Sequence, residues 1–303
     1  MIPDQHGHAV PTWDLGLAAS LPRTERIVFQ GESVSIGQVR CPPTAEHFRN
    51  CGQARTFCIV FPRSAVIIRR PDEAALVEDP SVVTFYNRGE EYERFELSPD
   101  GDRCDWFAYA PDVVRDAIRR FDPGAAEHDA RPLRVISTRS SSDVFRRQRL
   151  LFERVRVDPT VDSLYVEESS IALLDRVIDD AYADHPHSDM SARRARELAD
   201  AVRRVLAVRF AGALRLTELA DEVGTSVFHL CRIFRSVHGT SIHRHRTQLR
   251  LRRAMEHLSN PTADLAELAF ELGFSTHSHF TAAFKREFGA TPSAIRCVVS
   301  KRR

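Results

Sequence analysis

Residues 220–224 read Ala220-Asp-Glu-Val-Gly224, and residues 269–273 read Ala269-Phe-Glu-Leu-Gly273. Ten residues past the first glycine stands Phe234, followed by Arg235 and Gly239; eleven past the second stands Phe284, followed by Lys285 and Gly289. One short design thus occurs twice between Leu214 and Arg296: Ala-x-Glu-apolar-Gly, a helically spaced stretch, then Phe-basic-x-x-x-Gly. The small alanine lets two helices approach closely, and the glycine takes the left-handed geometry of a tight turn. Hydroxyl residues follow each turn, Thr225 and Ser226 in one copy and Ser275 and Thr276 in the other, where an oxygen can cap the next helix. The pattern predicts helix, sharp turn, helix, the arrangement whose second helix enters the DNA major groove. A single copy would be an ordinary helical hairpin. Two copies at a near-constant offset form an internal repeat, which outranks local patterns and makes a sequence-specific DNA binder the leading reading.

Spacing sorts the two recognition helices into faces. In residues 226–238, Leu230, Ile233 and Phe234 point inward, which leaves Val227, Phe228, Cys231, Arg232 and Arg235 outside. In residues 276–288, Phe280 and Phe284 point inward, which leaves His277, Ser278, Thr281, Ala282 and Lys285 outside. Arg232 is the strongest candidate for base reading, because a guanidinium matches the O6/N7 edge of guanine in two hydrogen bonds. Its alternative role is a phosphate contact. Phe228 suits a thymine methyl.

The stretch resembles the DNA-binding domain of the AraC/XylS transcriptional regulators. The resemblance lies in Leu219-Ala-Asp-Glu-Val-Gly-Thr-Ser226, His229-Leu-Cys-Arg-Ile-Phe234, Leu249-Arg250, Leu268-Ala-Phe-Glu-Leu-Gly-Phe274, and Phe280-x-x-x-Phe284-Lys-Arg-x-Phe-Gly289-x-x-Pro-Ser293-x-x-Arg296. It covers roughly the last third of the chain and implies two helix-turn-helix units, at about 214–239 and 262–289, joined by a long helix. It further implies base contacts from positions 228, 231 and 232, and partners in double-stranded promoter DNA and RNA polymerase. A regulator of transcription, an activator or a repressor, is implied in the same way; a homodimer, a small-molecule effector for the front domain and a cytoplasmic location are expected with it. Three positions depart from the family pattern: Cys231 replaces a long polar residue, Ala282 stands where an arginine is frequent, and His245 stands where tyrosine is usual. The first recognition helix should therefore read bases more tightly than the second.

Charge divides the chain at the same place. Residues 191–303 hold 20 Lys+Arg against 10 Asp+Glu, a net of +10, and residues 1–190 carry −9. Phosphate attraction supplies sequence-independent DNA affinity, so charge and motif coincide. The expected boundaries are 1–158 for a sensor domain with its lead-in, 159–190 for a helical linker or dimerisation segment, and 191–303 for the DNA-binding domain.

Upstream of the repeat the pattern changes. Residues 1–30 read as a polar lead-in, with no basic start and apolar core, so no secretory signal is expected. Val34 and Ile36 alternate with polar neighbours; residues 57–61, 65–68, 82–86, 92–97 and 102–109 are short apolar or alternating runs broken by turn signals. Such spacing predicts a β-barrel or sandwich, and the family resemblance implies a cupin-like barrel there. Helices follow at 112–121 and 143–157, and Leu164, Ile171, Leu174, Ile178 and Tyr182 form a 3.6-period stripe that suits core packing, dimer pairing or both. The expected fold is therefore α+β in two domains, a cupin-like barrel or sandwich with following helices and an all-α domain with two helix-turn-helix motifs.

Several functions find little support. No run of about 18 apolar residues exists to span a membrane. A catalytic cupin needs clustered histidines, and the strand region offers His47 alone, with His6 and His8 in the lead-in. Cys41, Cys51, Cys58 and Cys104 are irregularly spaced and read as buried thiols rather than a zinc or redox centre. No enzyme, cofactor or metal is expected. The competing readings are a ligand-binding or enzymatic barrel tethered to DNA, and a constitutive DNA binder without effector.

Overall fold

The computed structural model describes residues 2–3, 9–10, 24–127, 130–158, 160–183, 190–225, 227–260 and 262–300. The chain divides into two compact units, Met1–His185 and Pro186–Arg303.

The front unit is built from antiparallel strands. They are β1 (Ile2–Pro3), β2 (Ala9–Val10), β3 (Glu25–Gln30), β4 (Val34–Cys41), β5 (Asn50–Gln53), β6 (Phe57–Pro62), β7 (Val66–Arg69), β8 (Leu76–Glu78), β9 (Val82–Tyr86), β10 (Glu91–Glu96), β11 (Asp102–Tyr109) and β12 (Ser137–Arg139). One sheet has the order β12-β9-β6-β11-β4-β3, a second β5-β10-β7-β8, and β1 pairs with β2. Helices α1 (Pro111–Arg119), α2 (Pro123–Ala126), α3 (Ser142–Val157) and α4 (Ser163–Ala183) complete the unit.

Period-two alternation sorts the six-stranded sheet into two faces. Phe57, Ile59 and Phe61 of β6, with Phe107 and Tyr109 of β11, join Val114, Ile118, Phe152 and Leu174 in the core beneath the helices. Val60, Cys104, Trp106 and Ala108 look the other way, with Tyr92 of the four-stranded sheet packed against them. The architecture is three layers: four-stranded sheet, six-stranded sheet, helices.

A buried charge network fastens the helical layer. Asp105 on β11 is fully enclosed, and its Oδ2 accepts from Gln148 Nε2 at 2.8 Å and from Arg149 Nη1 at 2.9 Å. Its Oδ1 pairs with Arg63 at 3.3 Å, and Arg149 Nη2 reaches Glu153 Oε1 at 2.7 Å. Burial alone would raise the Glu153 carboxyl, but Arg149 and Arg156 outweigh it and hold the group below the usual carboxylate range. Each buried charge has a counter-charge, the condition under which charges survive burial.

Two expectations for this unit need correction. Residues 25–30, read as part of the lead-in, form β3 and pair with β4; the lead-in residues 11–23 lie outside the described residues. The α4 stripe is rotated from the expected one. Val166, Ser170, Leu173, Leu174, Val177, Ile178 and Ala181 are buried, whereas Leu164 is 74% exposed and Ile171 39%. Leu174 and Ile178 belong to both stripes, and the choice of flank was decided by contacts across the sheet. Tyr109 Oη donates to Ser170 O at 2.9 Å, and Glu167 accepts from the backbone N–H groups of Glu32 and Ser33 at 2.8 and 3.2 Å.

The back unit is helical: α5 (Met190–Arg209), α6 (Leu216–Glu222), α7 (Val227–His238), α8 (Ile242–His257), α9 (Leu265–Glu271), α10 (His277–Phe288) and α11 (Pro292–Ser300). Ala199, Val202 and Leu206 of α5 share a core with Leu219, Ala220, Leu230, Phe234 and Leu249, so α5 packs on the first repeat. The second repeat is cored by a run of rings, Phe274–Phe280–Phe284–Phe288, with centroids 5.3, 5.8 and 4.7 Å apart. Among the described residues no helix is long and apolar enough to cross a membrane.

Candidate nucleic-acid interface

The two repeats close their turns with the same backbone bonds. In the first, Thr225 N donates to Ala220 O at 2.9 Å and Gly224 N to Asp221 O at 3.2 Å. In the second, Phe274 N donates to Ala269 O at 2.9 Å and Gly273 N to Phe270 O at 2.9 Å. Gly224 and Gly273 hold φ of 68° and 78°, the left-handed region in which a Cβ is strained. Their surroundings differ. A Cβ at 273 would lie 2.3 Å from Ala211 O and 2.6 Å from Arg250 Nη2, whereas a Cβ at 224 meets nothing within 4 Å.

The second helix of each pair follows at once. Thr276 caps α10, its Oγ1 accepting from His279 N at 3.0 Å. Asp264 caps α9 by accepting from Ala266 N at 2.7 Å and Glu267 N at 3.4 Å. Ser226, the corresponding candidate before α7, lies outside the described residues.

The outward faces carry most of the expected contact residues. On α7, Cys231 and Arg235 are exposed; the side chains of Phe228 and Arg232 lie outside the described residues. On α10, His277, Ser278 and Lys285 are exposed, as is Ala282. Thr281 is half-buried, and its hydroxyl oxygen is enclosed by protein. Spacing placed it outside because residue 281 lies at the flank of the helix, between the solvent face and the buried Phe280 and Phe284. Arg286, absent from the spacing-based set, is exposed beside Lys285.

Arginines of the linker helix α8 fix the second turn against the end of α5. Arg250 donates Nε to Phe210 O at 2.7 Å, Nη1 to Gly273 O at 2.8 Å and Nη2 to Ala211 O at 3.1 Å. Arg246 donates Nε to Phe210 O at 2.8 Å and Nη2 to Gly212 O. These carbonyls follow the last turn of α5, where acceptors lack helical partners. Burial, with Arg246 adding to it, lowers the Arg250 guanidinium to about 10, so it stays charged at neutral pH. The arginine crowding of α8 therefore serves architecture in part, a role the sequence did not distinguish from phosphate binding. His245 is buried with its ring 5.4 Å from Phe234, which makes that departure a packing residue.

The front unit offers a different kind of site, a cavity of about 120 Å³ between its two sheets. Cys51, Cys58 and Cys104 line it, and burial pushes all three thiols up, Cys51 to about 11. They are protonated at neutral pH and poor nucleophiles. His47 shares a 2.8 Å hydrogen bond with Thr24 Oγ1; His6 and His8 lie outside the described residues.

Residues 219–297 match a family model described as a helix-turn-helix domain. The chain is similar to the Msm operon regulatory protein of Streptococcus mutans serotype c, 28% identical over 137 residues, 45% of this chain and 49% of that protein. It is similar to the probable transcription factor PqrA of Proteus vulgaris, 30% identical over 83 residues, 27% of this chain and 68% of that protein. A solved transcriptional regulator of Chromobacterium violaceum is 25% identical, with 38% of this chain and 100% of that chain covered at a TM-score of 0.33. The match thus spans about half the length of the Streptococcus mutans relative.

Proposed function

The chain belongs to the AraC/XylS family of transcriptional regulators, and from that premise we propose that it binds promoter DNA through α7 and α10, set into successive major-groove faces of one site. The observation that carries this reading is the duplicated turn, closed by the same pair of backbone bonds at Gly224 and Gly273. Phe228, Cys231, Arg232 and Arg235 of the first helix and His277, Ser278, Thr281 and Lys285 of the second form the contact set. Arg232 reads a base, and Lys285 holds a phosphate. Thr281, with its hydroxyl enclosed, contributes packing at the edge of that set. The front unit receives a small-molecule effector in the cavity between its sheets, and α4 pairs two copies through Leu164 and Ile171. Bound at a promoter in the cytoplasm, the dimer contacts RNA polymerase and regulates transcription. It performs no catalysis of its own; the protonated thiols of Cys58 and Cys104 support that view.

The test is selection of bound fragments from a genomic library by the full chain, at two salt concentrations. Enrichment of one bipartite motif with two sites a helical turn apart is expected. Recovery of unrelated fragments in proportion to their length would overturn sequence-specific binding.

A further inference from the structure

The cavity between the two sheets holds about 120 Å³; for scale, an apolar cavity of about 150 Å³ takes a benzene ring. Val39, Val60 and Ile68 line it with the rings of Tyr92 and Trp106. Three carboxyls stand in the same wall, those of Glu25, Glu78 and Asp102. Burial raises all three, and arginines oppose it at each: Arg55 and Arg94 at Glu25, Arg70 at Glu78, Arg94 at Asp102. The contacts agree. Asp102 holds Arg94 Nε at 2.8 Å, and Glu78 Oε1 accepts from Tyr86 Oη at 2.7 Å. Charge therefore balances within the wall. A charged guest, cation or anion, would give up its hydration for no counter-charge.

The indole of Trp106 is short of a partner. Trp106 is 5% exposed, and its buried Nε1 closes no hydrogen bond of normal geometry. The ring lies across Gly37 on the neighbouring strand, where a Cβ would fall 2.1 Å from Cζ2 and 2.4 Å from Cε2, the atom bonded to Nε1. Gly37 thus admits the ring and fixes where its donor sits. Register puts Glu25 on the same face, since it pairs with Val39 and Val39 with Cys104. The Glu25 carboxyl is stabilised by the Trp106 N–H, yet the two stop short of a full bond. An indole N–H only donates, and a buried donor gains most from an acceptor that completes its bond.

An oxygen beside Nε1 supplies that acceptor, and a hydroxyl oxygen there also donates to Glu25. The Tyr86 and Tyr92 rings, with centroids 4.9 Å apart, favour an aromatic body, which packs on rings edge to face or offset. We propose that the cavity binds an uncharged single-ring phenol, its hydroxyl accepting from Trp106 Nε1 and donating to Glu25, its ring packed against Tyr92 and the valines. This names a class of effector and rests on the reading of the front unit as an effector-binding unit.

Three probes of related shape decide it: phenol, toluene and benzoate. In titration calorimetry of the full chain, phenol should bind saturably, toluene about tenfold more weakly for want of the oxygen, and benzoate not at all. Trp106→Phe keeps a ring and removes the donor, so phenol and toluene should then bind alike. Circular dichroism confirms that the variant is folded. A second measurement leaves the cavity residues unaltered. Trp13→Phe makes Trp106 the single tryptophan, and its indole N–H resonance in a ¹⁵N-labelled chain should move downfield with phenol and not with toluene. A resonance unmoved at saturating phenol would overturn the proposal, whether or not Trp106→Phe folds. Toluene as tight as phenol, or benzoate tighter, would overturn the ligand class and leave the effector reading standing. No saturable response to any probe up to about 10 mM, tenfold past millimolar affinity, would overturn the site. DNA affinity with and without phenol tests the underlying reading separately: phenol bound at Trp106 with DNA affinity unchanged would remove the effector role and keep the site.

Discussion

Arg232, Gly273 and Arg149 each test a different part of the molecule. Arg232→Ala should relax preference at one base pair and cost roughly 1–3 kcal/mol on the target site. Lys285→Ala should weaken every sequence alike and flatten the salt slope. Titrations against single-base variants separate the two, and a uniform loss for Arg232→Ala would make it a phosphate anchor. Gly224→Ala meets open space and should cost roughly 1–2 kcal/mol for its left-handed backbone alone. Gly273→Ala adds the encounter with Ala211 O and Arg250 and should cost at least twice as much in urea unfolding followed by circular dichroism; equal costs would show that the contact yields freely. Arg149→Met strips a counter-charge from Asp105 and Glu153 and should destabilise the front unit by roughly 3–5 kcal/mol. Trp106, buried in that unit, reports its unfolding. Because the Glu153 carboxyl is held low in the fold, its contribution is complete above about pH 4.3 and is lost as pH falls through the folded value. The Arg149→Met penalty should shrink in that acid range. The glycines were legible in the sequence because the turn demands them locally. The Asp105–Arg149 pair was not, since it joins residues 44 apart in sequence.

At the scale of elements, local period predicted most of what formed. The strands at 57–62, 82–86 and 102–109 and the helices of both repeats stand where alternation and helical spacing put them. The short strands β5, β8 and β12, of three or four residues, carry too little alternation to be read without their partners. On α4 the period was right and the face was not, because Leu164 and Ile171 are as apolar as the residues chosen for burial. That correction changes the dimer test. Leu174 is 1% exposed within the core, so Leu174→Asp should unfold the front unit. Ile171→Asp, alone or with Leu164→Asp, should leave the fold intact and turn a dimer into a monomer in sedimentation. A monomeric unmodified chain across micromolar concentrations would remove α4 as a pairing surface.

For the whole molecule, the division of charge matters more than the total. A net of +1 hides +10 in residues 191–303 and −9 before them. Residues 186–303, the back unit, should bind nonspecific DNA with an affinity that falls steeply as salt rises. Residues 1–185 should bind none at any salt. A flat response from the back unit, measured by fluorescence anisotropy, would remove phosphate attraction as the source of its affinity. The paired turns have a consequence for redesign. They are two modules of one design under unequal constraint: the second is locked to its neighbours through Gly273, Arg250 and Ala211, and the first is free of that lock. A laboratory lineage selected for a new operator should therefore gather its accepted changes in the first module while the second keeps the register.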